Sequence, residues 1–174
     1  LAWAKQRAPG ADLRLQDYRD VGGQFDHVVS VEMFEAVGER WWPAYFKTVA
    51  RVLKPGGRAM IQSITIDDER FDRYRTGTDF IQQYIFPGGM LPSRRAFRAA
   101  AARQGLRVND ESAFGRDYAR TLMEWRRAFE ANWERIAALG YDERFRRLWR
   151  FYLCYCEAGF RTKTIDVVQF ELSH

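Results

Sequence analysis

Two carboxylates, Glu32 and Glu35, stand just beyond the run Phe25-Asp26-His27-Val28-Val29-Ser30-Val31, and Gln62, Ser63 and Thr65 lie at the end of a second β-branched run, Arg58 to Ile66. In an open α/β sheet, ligands bind outside the carboxyl ends of the strands. Adjacent parallel strands therefore bring Glu35 and Gln62 to one rim, although the same residues also read as loop groups facing water. The two histidines are His27, inside a strand pattern, and His174, at the chain end. Ser-His-Asp, Cys-His and multi-histidine metal chemistry lack their parts, so acid–base work falls to carboxylates, tyrosine or a bound ion. Cys154 and Cys156 are too few for a disulfide scaffold or a four-cysteine zinc site and point to a reducing, cytoplasmic compartment. Two residues apart on a helix, they diverge, which argues against a disulfide between them. No glycine-rich phosphate cradle of the G-x-G-x-x-G or G-x-x-x-x-G-K-[ST] kind occurs. Asp17, in Gln16-Asp17-Tyr18-Arg19-Asp20, could accept hydrogen bonds from a ribose or an adenine amino group, and equally reads as a turn residue.

The elements that must position these groups follow from periodicity. Leu1 to Ala8 has helical spacing, Pro9-Gly10 breaks it, and Asp12 to Tyr18 alternates like a short strand. Phe25 to Glu32 reads as a buried strand, a helix runs from about Arg40 to Leu53 with Pro43 in its first turn, Lys54-Pro55-Gly56-Gly57 ends it, and Arg58 to Ile66 is a second buried strand. Strand, helix, strand is the unit of a parallel sheet. Asp67 to Leu91 loses regular period. Ser93 then caps a helix to Gln104 that stops at Gly105, and Leu106 to Asn109 is a short strand. Tyr118, Leu122, Trp125, Phe129, Trp133 and Ile136 mark one amphipathic helix ending at Gly140. Asp142 caps a second, with Phe145, Leu148, Trp149, Tyr152, Cys156 and Phe160 on one side, and Ile165 to Leu172 is a closing strand.

The chain has 174 residues, a length that suits one globular domain able to build a core without disulfides or a metal. No apolar run approaches the ~18 residues of a membrane span and no leader opens the sequence, so the expectation is a soluble protein. The net charge is +5, carried by 24 Arg and 4 Lys. Arginine of this density suits phosphate, in lipid headgroups or nucleic acid, or a plain solvated surface. Nucleic acid is disfavoured, because the basic residues are scattered and interleaved with 23 acidic ones.

Longer phrases are specific. Leu15-Gln16-Asp17-Tyr18-Arg19-Asp20, Ser30-Val31-Glu32-Met33-Phe34-Glu35-Ala36-Val37-Gly38, Leu53-Lys54-Pro55-Gly56-Gly57, Tyr84-Ile85-Phe86-Pro87-Gly88-Gly89-Met90-Leu91-Pro92-Ser93 and Phe114-Gly115-Arg116-Asp117-Tyr118 occur in this order. Together they closely resemble the cyclopropane-fatty-acyl-phospholipid synthase and mycolic acid cyclopropane synthase family, over essentially all of the chain. The resemblance implies an α/β class I S-adenosylmethionine-dependent methyltransferase fold, Rossmann-like, with added helices that form an acyl-chain pocket. It implies that residues 1–174 are the C-terminal portion of one catalytic domain lacking its first strands, with 67–91 and 116–161 as substrate-pocket insertions. The implied reaction transfers a carbon from S-adenosylmethionine to a cis double bond of a phospholipid acyl chain at a peripheral membrane surface. A bound bicarbonate then takes a proton from the added methyl group as the ring closes.

In the family the bicarbonate is held by a glutamate, a histidine with the backbone beside it, a tyrosine and a cysteine. The resemblance carries the glutamate to Glu35, the backbone position to Ile64 and the tyrosine to Tyr118. The histidine position is Gln62 here, whose amide can still donate a hydrogen bond, while proton handling changes. The glycine-rich cofactor loop and the cysteine match positions before Leu1. Gln16, Asp17 and Tyr18 match the region that lines the adenine. The implied acyl pocket is Phe34, Phe86, Leu91, Leu122, Tyr152, Cys156 and Phe160, residues whose ordinary reading is helix core. A methyl- or methylene-branching enzyme of the same family and a non-catalytic lipid-binding fragment are the alternatives. A sheet edge left by missing strands favours association, so a homodimer is among the expected states.

Overall fold

The structure is a computed structural model that describes residues 1–174. After a short helix α1 (Ala2–Arg7), the chain runs without regular structure to a 3-10 turn at Tyr18–Asp20 and enters β1 (Phe25–Val31). The strand expected over Asp12 to Tyr18 is absent, because no neighbouring strand takes up its backbone groups. Next come α2 (Phe34–Val37), α3 (Trp42–Val52) and β2 (Leu53–Ile66). Trp42, Tyr45, Phe46, Val49 and Val52 recur at three- and four-residue steps and are the buried face of α3, with Pro43 harmless in its first turn. Gly57 is required in the first half of β2: a Cβ there would come within 2.8 Å of the Asp26 carbonyl oxygen and 2.9 Å of that of Lys54.

Two short helices, α4 (Phe71–Thr76) and α5 (Phe80–Tyr84), occupy the stretch read as aperiodic. Each is too brief to leave a helical period, yet α5 carries a full capping box between Asp79 and Gln82. Ser93 caps α6 (Arg94–Ala102) by accepting from the Ala96 N–H, and β3 (Arg107–Ala113) follows, longer than expected. The next helix is broken into α7 (Gly115–Ala131) and α8 (Trp133–Ala137) at Asn132. The Asn132 amide reaches back to the Ala128 carbonyl at 2.8 Å, a local bond that competes with continued helix. Asp142 caps α9 (Glu143–Arg161) by accepting from the Phe145 N–H, and β4 (Ile165–Ser173) closes the chain. No helix is long and apolar enough to cross a membrane.

The sheet order is β1-β2-β4-β3. β1 and β2 are parallel, as the strand-helix-strand pattern predicts, and β4 lies antiparallel between β2 and β3. One face carries α3 and α6 over Ala59, Ile61, Val168, Phe170 and Leu172, in a core of 17 buried residues with Phe97 stacked on Phe170 at 3.9 Å. The other face carries α7 and α9 over Ile64 and Val167, around a smaller cluster of five. β1 corrects an expectation: it is an edge strand with Val29 70% and Val31 59% exposed, because the second helix layer covers β4 and not β1.

Candidate active site

The β1 and β2 ends meet as the sheet rule predicts, with Val31 paired to Gln62 and the Glu32 N–H donating to the Gln62 carbonyl at 2.9 Å. Glu32 turns the chain with φ +48°, a left-handed conformation that a side-chain-bearing residue holds only when its surroundings enforce it. Its carboxylate supplies the enforcement. Oε1 accepts from Gln62 Nε2 at 2.8 Å, and Oε2 accepts from the Tyr118 hydroxyl of α7 at 2.9 Å. Gln62 sits opposite Gln169 in the β2–β4 ladder, and Gln169 Nε2 donates to Gln62 Oε1 at 2.9 Å, which fixes the Gln62 amide with its NH2 toward Glu32.

Glu35, one helical turn on, is held differently. Its Oε1 accepts from the Ile64 N–H, while Oε2 is buried without a partner. Burial raises the Glu35 carboxyl above the usual carboxylate range, opposed by the Ile64 bond. Burial also raises the Tyr118 phenol, and its bond to Glu32 adds to the effect. Glu35 and Gln62 therefore share one rim, but the direct partner of Gln62 is Glu32. Sequence reasoning placed Glu32 after the strand and gave it no role; its left-handed turn and its bond to a residue 86 positions away leave no local signal. Gln169 was missed too, although Gln169 and Glu171, two apart in the strand, are a readable sign of a polar face.

The expected acyl-pocket residues divide into two groups. Tyr152 and Cys156 are half-buried on α9, and Phe86, exposed, meets Tyr152 edge-on at 6.2 Å. Burial pushes the Tyr152 phenol up to about 12, and Tyr152 packs against the same small cluster as Ile64 and Tyr118. Burial likewise pushes the Cys156 thiol to about 12, while Cys154 is exposed, so the two thiols diverge as expected. Leu91 is half-buried against the main core, and its N–H donates to the Tyr74 hydroxyl at 3.2 Å. The other three are buried: Phe34 among Trp42, Tyr45, Phe46 and Phe97, and Leu122 and Phe160 in the smaller cluster, with Phe160 also bordering a recess at the start of α7. That recess, of about 680 Å3, is also lined by Asp67, Arg94, Arg116, Lys163 and Asp166 and includes none of the rim residues; its charged walls do not suit an acyl chain.

Gln16, Asp17 and Tyr18 lie on the loop before β1. Gln16 Nε2 donates to the Asp20 carbonyl, and Asp17 accepts from the Arg19 N–H and from the Arg19 guanidinium at 2.9 and 2.8 Å. Those bonds hold the Asp17 carboxyl at about 2, so it stays an acceptor at any working pH. Arg51 of α3 donates to the Val21 and Arg19 carbonyls and pins the loop, while Tyr18 packs on Tyr45 at 5.7 Å. An ionised carboxylate on an anchored loop fits a nucleoside-bearing donor such as S-adenosylmethionine.

The donors expected to hold bicarbonate do not fit it as placed. Tyr118 and Gln62 both give their hydrogen bonds to Glu32, and the Ile64 N–H goes to Glu35.

Residues 4–170 match the family described as mycolic acid cyclopropane synthetase. The chain is 46% identical over 176 residues to the tuberculostearic acid methyltransferase UfaA1 of Mycobacterium tuberculosis, covering 97% of this chain and 41% of that protein. It is 41% identical over 168 residues to the cyclopropane-fatty-acyl-phospholipid synthase of Escherichia coli, covering 95% of this chain and 42% of that protein. The chain thus spans about two fifths of the length of these curated relatives. Among solved structures, the cyclopropane synthase MmaA2 of Mycobacterium tuberculosis superposes with TM-score 0.87 at 25% identity, covering 99% of this chain and 66% of that one. The mycolic acid cyclopropane synthase CmaA1, complexed with SAH and CTAB, gives 0.86 at 28%, covering 98% and 65%. The α/β mixed sheet is that of a class I S-adenosylmethionine-dependent methyltransferase, and by sequence and fold alike this chain belongs to the mycolic acid cyclopropane synthetase family.

Proposed function

We propose that this chain forms the acceptor side of an S-adenosylmethionine-dependent transferase that adds one carbon to the cis double bond of a phospholipid acyl chain. The observation that carries this reading is the carboxylate rim of Glu32 and Glu35, bonded to Gln62, Ile64 and Tyr118 next to the aromatic wall of Tyr152 and Phe86. Alkene methylation makes a carbocation, which needs a nearby base and walls that exclude water. Segments 67–91 and 116–161 supply those walls, and Gln16, Asp17 and Tyr18 supply part of the donor site. Cyclopropane and methylene-branched products both come from such a cation by loss of a proton from the added methyl group, the branch after a hydride shift.

A peripheral membrane surface is part of the reading. Phe80 of α5 packs on Phe151 and Tyr155 of α9 at 4.7 and 5.9 Å, and Tyr84, Phe86 and Phe151 around it are 62%, 56% and 52% exposed. Aromatics presented this way, on a chain of net charge +5, suit an anionic bilayer from which an acyl chain reaches Tyr152 past Phe86.

The test uses this chain, alone and preceded by the N-terminal segment of a relative, with methyl-labelled S-adenosylmethionine and vesicles of cis-unsaturated anionic phospholipid. The expected result is label in the acyl chains, a one-carbon mass gain, and loss of at least about tenfold in Glu35→Gln. Loss of the alkene proton signals identifies a cyclopropane, and new terminal-methylene signals identify a branch. Salt-sensitive vesicle binding with no label in either form, indifferent to Glu35 and Tyr118, would instead establish a non-catalytic lipid-binding chain.

A further inference from the structure

Building on the transferase reading, we infer that Glu32 is the base of the reaction, a carboxylate of the chain itself standing where the resemblance calls for bicarbonate. Bicarbonate and a carboxylate present the same planar pair of oxygens, and each such pair accepts from two donors. Here the two donors are Tyr118 and Gln62, and both point at Glu32, at 2.9 and 2.8 Å. Gln62 cannot swing away without giving up Gln169, which holds its other end. The fourth expected partner, Glu35, is tied to the Ile64 N–H. The Tyr118 hydroxyl, the Gln62 amide and the Ile64 N–H, the donors assigned to a bound anion, are thus all engaged within the chain.

The backbone supports the same assignment. Residue 32 lies in the left-handed region, where a glycine would be at ease and a glutamate is strained. A side chain kept at such a place, half-buried and doubly hydrogen-bonded, performs a task that the turn alone does not need. The two carboxylates of the rim differ in their surroundings: Glu32 accepts from two side-chain donors, whereas Glu35 is buried with one oxygen bare.

In the step inferred, the alkene π pair forms the new C–C bond to the donor methyl carbon, the S–CH3 bond pair leaves with sulfur, and the second alkene carbon becomes cationic. Glu32 takes one proton from the added methyl group, and the released C–H pair closes the ring. Alternatively, after a hydride shift to the cationic carbon, the same pair forms the C=CH2 bond of a methylene branch. Glu32 ends as the carboxylic acid and returns its proton to water. A saturated methyl branch needs a reductant and is not part of this step.

Two measurements test the inference. The first is titration with 13C-labelled bicarbonate, followed by NMR and calorimetry, of wild type and of Glu32→Gly, a variant that relieves the strained backbone and frees both donors. Wild type should show no saturable binding, and Glu32→Gly should bind. The second is the vesicle assay in carbonate-stripped buffer. Wild type should keep its rate, Glu32→Gln should lose at least about 100-fold, and Glu32→Gly should lose as much and regain at least about tenfold on adding bicarbonate, a rescue Glu32→Gln should not show because its amide fills the space. Saturable bicarbonate binding by wild type, or a wild-type rate that collapses without bicarbonate, overturns the inference and leaves the transferase reading standing. Vesicles that gain no carbon under any condition overturn both.

Discussion

On the face of the sheet under α3 and α6, alternate residues of β2 and β4 are Ala59, Ile61, Val168 and Phe170, and they meet Phe34, Phe46 and Phe97 in a closed aromatic core. On the face under α7 and α9, the intervening residues of the same strands are Gln62, Ile64, Val167 and Gln169, and the amides form a chain that ends on Glu32. The period of two that makes a strand amphipathic has here sorted packing to one side and chemistry to the other. The packed side gives the platform, and the polar side can carry strained and desolvated groups because that platform does not move.

Removing the platform should have the largest effect. Phe97→Ala opens a cavity among Phe34, Phe46 and Phe170, and its stability in denaturant titration should fall by about 3–5 kcal/mol. On the polar side, Tyr118→Phe keeps the ring against Phe160 and removes only the bond to Glu32, so the loss should be about 1–2 kcal/mol by the same titration. Glu35→Gln sharpens the contrast through pH. The folded state holds the Glu35 proton to higher pH than the unfolded chain does, so its stabilising effect is complete below the unfolded value and is lost as pH rises through the raised folded one. The melting temperature of Glu35→Gln minus that of wild type should therefore be more positive at about pH 7 than at about pH 4. Neither side should register Arg127→Ala, whose partner Glu124 is also exposed, beyond about 0.5 kcal/mol.

What could be read from the sequence was local. The β1-α3-β2 unit, the Ser93 and Asp142 caps and the divergence of the two cysteines each rest on spacing within one element, and each is present. The faces of β1 were not legible, because Val29 and Val31 have the residue types of a buried strand and only the reach of α7 and α9 leaves them open. The burial of Phe34 follows from Trp42, Tyr45 and Phe46 on the buried face of α3, contacts that no spacing within α2 reveals. Of the site, the strand pattern brings Glu35 and Gln62 to one rim, and the structure gathers Ile64 and Tyr118 there with them. Their actual pairing was hidden, since it depends on a single left-handed residue and on a strand more than a hundred positions downstream.

The central place of β4 has a consequence for how the molecule is made. β3 joins the sheet only through β4, and Gln62 meets its ladder partner 107 residues later. Closing so long a loop is slow, and nothing synthesised before residue 165 can substitute for it. During translation the β1-α3-β2 half can collapse early on its aromatic side, while Gln62 stays without its orienting amide until the β4 segment emerges. A stop codon or proteolytic cut between α9 and β4 should therefore leave a chain with helices in place, β3 detached and the carboxylate rim unassembled.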